Sequence, residues 1–194
     1  MTDLRFGLPD ELRTPAIRLY YEAFSKKFAH LMTPDEALEI LTALLNEDQV
    51  ICALQDGNLA GFAGIQHGKK RLFKSSIAPF IKNLGLLRGL FAAFVLMLFG
   101  RPHKSGELLM DGICVDKNMR GQGVGTLLLQ ATFDFAKQHN YKTIRLDVVD
   151  TNPGARKLYA RMGFEPTGSH SYPFTKQLMG FSASTTMIKT VQDT

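Results

Sequence analysis

Apolar positions along the chain follow two spacings, one typical of strands and one typical of helices. Short apolar runs bounded by glycine, proline, asparagine or aspartate predict strands. These runs lie at Leu4–Phe6, Val50–Leu54, Leu59–Ile65, Glu107–Val115, Thr143–Val149, from Phe164 onward and at Thr185–Val191. Apolar residues that recur every three or four positions predict helices, which begin near Pro9, Thr33, Val124 and Pro153. Strands that alternate with helices predict an α/β core with some parallel pairing.

Two short stretches give specific local signals. Thr33–Glu36 has the order of a helix N-cap, a proline in the first turn and a glutamate that completes a capping box. Asp56–Asn58 separates two apolar runs, and its Asp-Gly pair favours a tight β-hairpin. A capped second helix and a hairpin are therefore predicted.

Length and composition fit one domain over residues 1–194. With 194 residues and 45% hydrophobic content, the chain is long enough to bury a sizeable core. Its two cysteines, Cys52 and Cys114, lie in apolar runs and form no CxxC pair, so a reducing cytoplasm is the expected compartment. The stretch Met1–Phe6 lacks the basic start and apolar run of a signal peptide.

Positive charge is concentrated in the segment 69–104, called here the basic segment. It contains eight lysines and arginines and no acidic residue, whereas the whole chain has a net charge of +5. Its second half is strongly apolar, but Gly89–Gly100 as a helix would span only about 18 Å, against about 30 Å for a bilayer core. The basic segment is therefore too short in its apolar part to cross a membrane.

Three interpretations of the basic segment remain open. The first is an inserted helical pair that packs on the domain or against a second subunit, which would make a homodimer. The second is an interfacial element that binds an anionic membrane, because basic residues flank an apolar helix. The third is a lid over the acceptor site.

Two other kinds of site are disfavoured. Nucleic acid is not the expected partner of the basic segment, because no aromatic stacking platform or reading helix accompanies it. The five histidines show no metal-ligand spacing, and His170 is expected in a loop together with Pro173 and Phe174. We therefore expect no metal.

A glycine-rich turn between a strand and a helix carries the strongest functional signal. The stretch Arg120–Thr126 reads Arg-Gly-Gln-Gly-Val-Gly-Thr. Glycines let a phosphate approach the backbone, and the following helix start offers unpaired N–H donors to an anion. The turn lacks the Gly-Lys-Ser/Thr ending of a nucleoside-triphosphatase loop, and Thr126 occupies the third glycine position of the dinucleotide pattern. These two commoner phosphate loops are excluded.

Two motifs in order resemble those of the GNAT superfamily of N-acetyltransferases. The first joins Val115-Asp116 to Arg-Gly-x-Gly-x-Gly at 120–125, as in the acetyl-CoA-binding motif of that family. The second, at 152–164, is similar to the family signature Asn-x-x-Ala-x-x-Leu-Tyr-x-x-x-Gly-Phe. The resemblance implies a GNAT fold, with a mixed central sheet of about six to seven strands flanked by helices. The basic segment would lie between its third and fourth strands, where the family has no such segment.

The resemblance also implies a set of residues that bind acetyl-CoA. Backbone N–H groups of the turn would hold the pyrophosphate, and the fourth strand would bind the pantetheine arm beside a bulge that opens a V-shaped slot. An asparagine and a tyrosine of the second motif would contact the cofactor. The implied residues are Ile113, Cys114, Val115, Arg120, Gly121, Gln122, Gly123, Val124, Gly125, Thr126, Asn152 and Tyr159.

Acyl transfer to an amine needs a base for the amine and a proton for the departing thiolate. Tyr159 matches the family tyrosine proposed as the proton donor, although a core aromatic on an apolar helix face has the same pattern. Asp111 is the preferred base, with Glu107 and Asp147 as weaker candidates; each is also compatible with a capping or solvated edge residue. Cys114 is disfavoured as an acyl-accepting nucleophile, because no histidine is placed to activate it.

The function implied is transfer of an acetyl group from acetyl-CoA to a primary amine, by direct attack in a ternary complex. Two alternatives remain at this point. One is an acyl-CoA-binding module without catalysis, and the other is a peripheral membrane protein that acts through the basic segment. The identity of the acceptor is left open.

Overall fold

A computed structural model of the protein describes residues 2–98, 104–172 and 180–191. The strands are β1 (Thr2–Phe6), β2 (Val50–Gln55), β3 (Asn58–Gln66), β4 (Glu107–Val115), β5 (Thr143–Val149), β6 (Glu165–Ser171) and β7 (Ala183–Thr190). The α-helices are α1 (Arg13–Phe24), α2 (Pro34–Leu44), α3 (Ala78–Leu84), α4 (Leu86–Met97), α5 (Val124–Gln138) and α6 (Pro153–Arg161). The predicted α/β class with six to seven strands is confirmed.

One mixed sheet joins all seven strands in the order β1-β2-β3-β4-β5-β7-β6. Each neighbouring pair is antiparallel except β4 and β5, which are parallel. A parallel pair needs a crossover connection, and α5 lies in the one between β4 and β5. The sheet therefore consists of two antiparallel halves that meet at β4 and β5.

Two hydrophobic cores lie on opposite faces of the sheet because side chains alternate along each strand. On one face, Cys52 and Phe62 pack with residues of α1 to α4. On the other face, Ile51 and Ala63 pack with residues of α5 and α6. The adjacent positions Ile51 and Cys52 thus point into different cores. This arrangement fixes the register, since a shift by one residue would exchange the faces.

Both specific local signals of the sequence are confirmed. Thr33 Oγ1 accepts a hydrogen bond from Glu36 N–H at 3.3 Å, and Thr33 N–H donates to Glu36 Oε2 at 2.8 Å, which completes the capping box of α2. Asp56 and Gly57 form the two-residue loop between β2 and β3, with φ values of 50° and 78°. Positive φ at both positions matches a type I′ hairpin turn.

The part of the basic segment that the structure describes forms the helices α3 and α4, between β3 and β4. The helices meet at Gly85, whose φ of 76° ends α3. Phe80, Leu84 and Ala92 are buried in the core beside α1 and α2. Arg88 forms an ion pair with Glu36 of α2 at 3.3 Å. The helical pair is thus packed on the sheet's α1/α2 side. Residues 99–103, including Phe99 and Gly100, lie outside the described residues.

Replacing Gly89 by alanine is expected to destabilise the fold by about 1–3 kcal/mol, because α3 and α4 cross in contact at this residue. A Cβ atom there would lie 2.8 Å from the carbonyl carbon and oxygen of Phe80. Backbone cannot move aside as a flexible side chain can. The measurement is the urea midpoint of unfolding. Gly168→Ala is the control, since no described atom lies within 4 Å of a Cβ at Gly168. Equal midpoints for the two variants would contradict the close crossing.

The strand predicted from Phe164 onward is confirmed as β6, but the loop predicted to contain His170 is wrong at that residue. His170 lies in β6, opposite Ser184 of β7, and every residue of β6 is exposed. Because β6 has no buried side chain, no apolar alternation indicates how far the strand continues. Pairing with β7, which begins at Ala183 rather than at Thr185, places these residues in the sheet. Pro173 and Phe174 lie outside the described residues.

Candidate functional site

The sheet opens between β4 and β5. These strands pair only from Glu107 with Thr143 to Leu109 with Arg145. Beyond that point β4 continues to pair with β3, and β5 continues to pair with β7. The edges of β4 and β5 that face each other therefore carry backbone N–H and C=O groups that no ladder between these two strands satisfies. The result is a slot between the two strands, which begins after Leu109 and runs along β4 to Val115.

A β-bulge lies in β4 where the slot begins. Gly64 of β3 is opposite Gly112, and the next residue, Ile65, is opposite Met110, so Asp111 is the additional residue of β4. A bulge increases local twist and bends the strand away from regular pairing. This accounts for the end of the β4–β5 ladder at Leu109. The resemblance implied such a bulge, which the sequence pattern alone does not indicate.

Ile113, Cys114 and Val115 form the wall of the slot on the β4 side. They are paired through one edge with Ala63, Phe62 and Gly61 of β3. Their other edge faces the slot, where an extended ligand can add main-chain hydrogen bonds as a further strand would. The three predicted β4 residues are thus brought together along the opening.

The glycine-rich turn is separated from β4 by a short 3-10 helix (Lys117–Met119) and leads into α5. Gly121 and Gly123 have φ values of 78° and 84°, and no described atom lies within 4 Å of a Cβ built at either residue. Glycine is needed there for the left-handed backbone, and the space beside it is open. The first bond of α5 runs from Leu127 N–H to the Gly123 carbonyl at 3.0 Å. The N–H groups of Val124, Gly125 and Thr126 therefore have no acceptor inside the helix.

Side-chain hydrogen bonds stabilise the conformation of this turn. Arg120 Nε donates to the Val115 carbonyl at 3.3 Å, and Gln122 Nε2 donates to the Asn118 carbonyl at 2.9 Å. The Asp116 carboxylate accepts from Asn118 N–H at 2.8 Å. The backbone donors of the turn and the positive end of the α5 dipole are thus preorganised at the mouth of the slot, where an anion is favoured.

The two sequence motifs are in contact through Gly125. A Cβ there would lie 3.2 Å from Leu158 Cδ2 of α6 and 3.9 Å from Val115 Cγ2 of β4. The third glycine of the turn therefore lets α5 approach both α6 and the end of β4. This gives Gly125 a packing role in addition to its place at the helix start.

Tyr159 lies on α6 with 7% of its surface exposed, and its ring packs edge-on against Phe164 at 5.9 Å between centroids. Burial, with a smaller contribution from Cys114, raises the pKa of its phenol to about 12. The phenol therefore keeps its proton at neutral pH.

Asn152 is the N-cap of α6. Its Oδ1 accepts a hydrogen bond from Ala155 N–H at 3.1 Å, which satisfies one unpaired donor of the helix start. Asn152 therefore has a structural role at the start of α6. Its exposed amide group remains available for a cofactor contact, which stays a prediction.

Asp111 is exposed at the bulge and interacts with a neighbour that the sequence analysis missed. Gln66, at the end of β3 and only 6% exposed, donates from Nε2 to Asp111 Oδ1 at 2.9 Å. Tyr20 of α1 is close by: burial raises the pKa of its phenol, and the Asp111 carboxylate raises it further. The ring of Phe24 covers Gly112, where a Cβ would be 2.8 Å from Cζ. The sequence signal for Gln66 is a polar amide side chain directly after the apolar run Leu59–Ile65.

The two weaker base candidates lie in different places. Glu107 is 5% exposed and paired with Arg145 at 3.1 Å, where the β4–β5 ladder is still closed. That buried ion pair makes Glu107 wrong as a base facing the slot. Asp147 lies on β5, two residues beyond Arg145, and accepts a hydrogen bond from the Thr186 hydroxyl. Leu146 and Val148 point into the core beside α5, so alternation places Asp147 on the opposite face of the sheet. Asp111 lies on that same face, next to Tyr20, on the other side of the slot.

Covalent and metal chemistry have no support in the described residues. Burial raises the pKa of the Cys114 thiol to about 12, so the reactive thiolate is scarce at neutral pH. Within the described ranges, His, Cys, Asp and Glu side chains form no cluster of three or more that could hold a metal ion.

Solved acetyltransferases share this architecture. An N-acetyltransferase from Staphylococcus aureus Mu50 superposes with a TM-score of 0.67 at 16% sequence identity, covering 96% of this chain and all of that one. Ard1 from Thermoplasma volcanium gives a TM-score of 0.64 at 16% identity, with 99% of each chain covered. At such low identity the likeness concerns the fold alone.

The family model described as "Acetyltransferase (GNAT) family" matches residues 14–164. The match spans both motifs and more than half of the sequence, so the chain belongs to the GNAT acetyltransferase family.

Sequence relatives match over shorter stretches. The uncharacterised N-acetyltransferase MJ1207 of Methanocaldococcus jannaschii is 40% identical over 53 residues, which are 27% of this chain and 24% of that protein. A protein of Bacillus subtilis subsp. natto named "Probable spermine N(1)-acetyltransferase" is 31% identical over 71 residues, 36% of this chain and 47% of that protein. The chain thus spans about a quarter to a half of the length of these relatives.

Proposed function

We propose that the chain transfers the acetyl group of acetyl-CoA to a primary amine by direct attack in a ternary complex. The observation that carries the proposal is the slot between β4 and β5, with the glycine-rich helix start at its mouth. An extended cofactor with an anionic end fits such a site, because strand edges bind an extended chain and helix starts bind phosphate. Family membership supports acetyl-CoA as that cofactor.

The position of the residues supports a cofactor-binding role for each of them. Backbone N–H groups between Arg120 and Thr126 would hold the pyrophosphate oxygens, and the free edge of Ile113–Val115 would bind the pantetheine arm. Asn152 would contact the cofactor while it caps α6. Acetyl-CoA then acts as a co-substrate, and it supplies the thioester whose carbonyl carbon is attacked.

The reaction needs two proton transfers. The neutral amine forms a C–N bond with the thioester carbonyl carbon, the C–S bond breaks, and the departing thiolate takes a proton. Tyr159 would supply that proton as general acid, since its buried phenol is protonated at neutral pH. Asp111 would accept the proton of the amine, directly or through a water molecule. Orientation of the two substrates would provide much of the acceleration.

The acceptor is proposed to be a cationic amine. Two carboxylates, Asp111 and Asp147, flank the slot on the same sheet face, and both attract an ammonium group before it loses its proton. One relative is named for spermine, a polyamine. The experiment is a screen of spermine, free lysine and a peptide with a free N-terminus, each with acetyl-CoA, measuring thiol release and the acetylated product. Cofactor binding without turnover on any amine would contradict the proposal and favour a non-catalytic acyl-CoA-binding module.

Asp111→Asn is expected to lower kcat about 10–100-fold at about pH 7, and the loss should shrink as pH rises. A primary amine with a pKa of about 10.4 loses its proton to the solvent at high pH and then needs the base less. The measurement is the pH profile of kcat for the best amine of the screen. Asp147→Asn is the comparison variant, expected to change KM for the amine more than kcat. A loss that is equal at every pH would show that Asp111 is not the base.

A further inference from the structure

The outer face of α4 is apolar and uncovered. Buried residues of this helix, such as Gly89 and Ala92, point toward α3 and the core. The opposite face consists of large apolar side chains that are 44% to 82% exposed. Its members in and just after α4 are Leu86, Leu87, Leu90, Phe91, Phe94, Met97 and Leu98. An exposed apolar patch of this size on one helix marks an interaction surface.

The segment that contains this face carries charge of one sign. The basic segment, which contains α3 and α4, has eight lysines and arginines and no acidic residue, so the rest of the chain has a net charge of −3. Lys69, Arg71 and Lys82 are exposed, and none of them forms an ion pair with another residue that the structure describes. Arg88 and Lys70 are paired with Glu36 and Asp48. Uncompensated positive charge therefore accompanies the apolar face.

We propose that this face binds the surface of an anionic lipid bilayer. A helix with an apolar face and basic neighbours lies in the headgroup region, with its apolar side chains buried about 5–10 Å deep. The lysines and arginines would then contact anionic headgroups, each strengthening binding about fivefold. Crossing the bilayer is a different matter: α4 has 12 residues, and in the described part of the chain no helix has the length and apolarity for a membrane span.

A second copy of the chain fits this face less well. Two copies that meet through α4 would bring two basic segments together, and these contain no acidic residue to neutralise the contact. Like charges at close range oppose association. An anionic surface instead complements the apolar face and its basic neighbours at the same time.

Vesicle flotation of the full chain tests the proposal. The wild type is expected to float with vesicles of phosphatidylcholine and phosphatidylserine, and to remain unbound with phosphatidylcholine alone. The triple variant Leu87→Ser, Phe91→Ser, Phe94→Ser should lose flotation. The double variant Arg71→Glu, Lys82→Glu should weaken it at least about tenfold, as high salt should.

Matched controls carry the same chemical changes at other exposed positions. Leu4→Ser replaces an apolar side chain on β1 that is 38% exposed, and Lys142→Glu reverses an exposed charge that follows α5. Both should float as the wild type does. Thermal melts should be unchanged for all variants, because each replaced side chain is exposed.

Three outcomes would overturn the proposal. They are absence of flotation for the wild type, equal binding to neutral and anionic vesicles, and a triple variant that floats normally. The oligomeric state measured without lipid tests the other occupant, a second copy of the chain. If the wild type is a dimer, the triple variant is a monomer and neither floats, the face is a dimer interface. Acetyl transfer in solution is a separate measurement, so its absence would not affect this result.

Discussion

Replacing Tyr159 with phenylalanine is expected to lower kcat about 10²–10⁴-fold and to leave the dissociation constant of acetyl-CoA within about threefold, the signature of a lost general acid. The substitution removes one hydroxyl group from a side chain that is 7% exposed and packed against Phe164. The ring and its contacts remain. Cofactor binding and stability should therefore change little while the thiolate loses its proton donor.

The pH dependence of kcat gives a second measurement of the same role. Burial raises the pKa of Tyr159 to about 12, so the phenol is protonated at every pH below that value. A general acid with a raised pKa loses activity only as pH rises through it. We therefore expect no alkaline fall of kcat due to this group below about pH 11. A fall of kcat near pH 9 that is absent in Tyr159→Phe would contradict a Tyr159 pKa raised by burial.

Tyr141→Phe is the matched control for Tyr159→Phe. Its hydroxyl bonds to His67 Nδ1 at 2.9 Å, away from the slot, and removing it should leave kcat unchanged. If Tyr159→Phe retained the kcat of the wild type, Tyr159 would be a core aromatic of α6 and no proton donor. A large rise in the dissociation constant of acetyl-CoA without a change in kcat would assign it to binding.

Gly123→Ala is expected to raise the dissociation constant of acetyl-CoA about 10–100-fold, the equivalent of about one charge-assisted hydrogen bond. Gly123 has φ of 84°, and a side chain in this left-handed region costs about 1–2 kcal/mol. The turn relieves that strain by rotating its peptide planes, and its N–H groups then leave the positions that suit an anion. The added methyl group also occupies the open space beside the turn.

Gly57→Ala separates strain from binding. Gly57 has φ of 78° in the β2–β3 hairpin, and a Cβ there would also meet no described atom within 4 Å. Both variants should lower the melting temperature by similar amounts, whereas only Gly123→Ala should weaken acetyl-CoA binding in calorimetry. Equal affinity for the cofactor in the two variants would remove the pyrophosphate role from the turn.

Local signals were sufficient to predict most elements of the fold. The Thr33 cap, the Asp56-Gly57 hairpin and the apolar period of α5 depend on neighbours within a few residues, so the sequence carries them directly. The extent of β6 is the exception, since a strand was predicted from Phe164 onward but His170 was placed in a loop. All of its residues are exposed, and only its ladder with β7 makes it a strand.

Only those parts of the site that depend on neighbouring residues were predicted. The glycine-rich turn and the start of α6 at Pro153 are local, and both lie where the pattern placed them. The bulge at Asp111, the bond from Gln66 and the buried pair of Glu107 with Arg145 join residues far apart in the chain. No spacing along the sequence indicates such pairings, because register and burial arise only when strands meet.

By itself the sequence determined the class of fold, the glycine-rich turn and the family motifs, because backbone conformation at glycines and helix starts is a local property. Tertiary structure decided the rest. It opened the sheet between β4 and β5, brought Gly125 against Leu158, and left the apolar side of α4 uncovered. These three features depend on contacts between residues far apart in the chain, and such contacts form only when the strands and helices pack together.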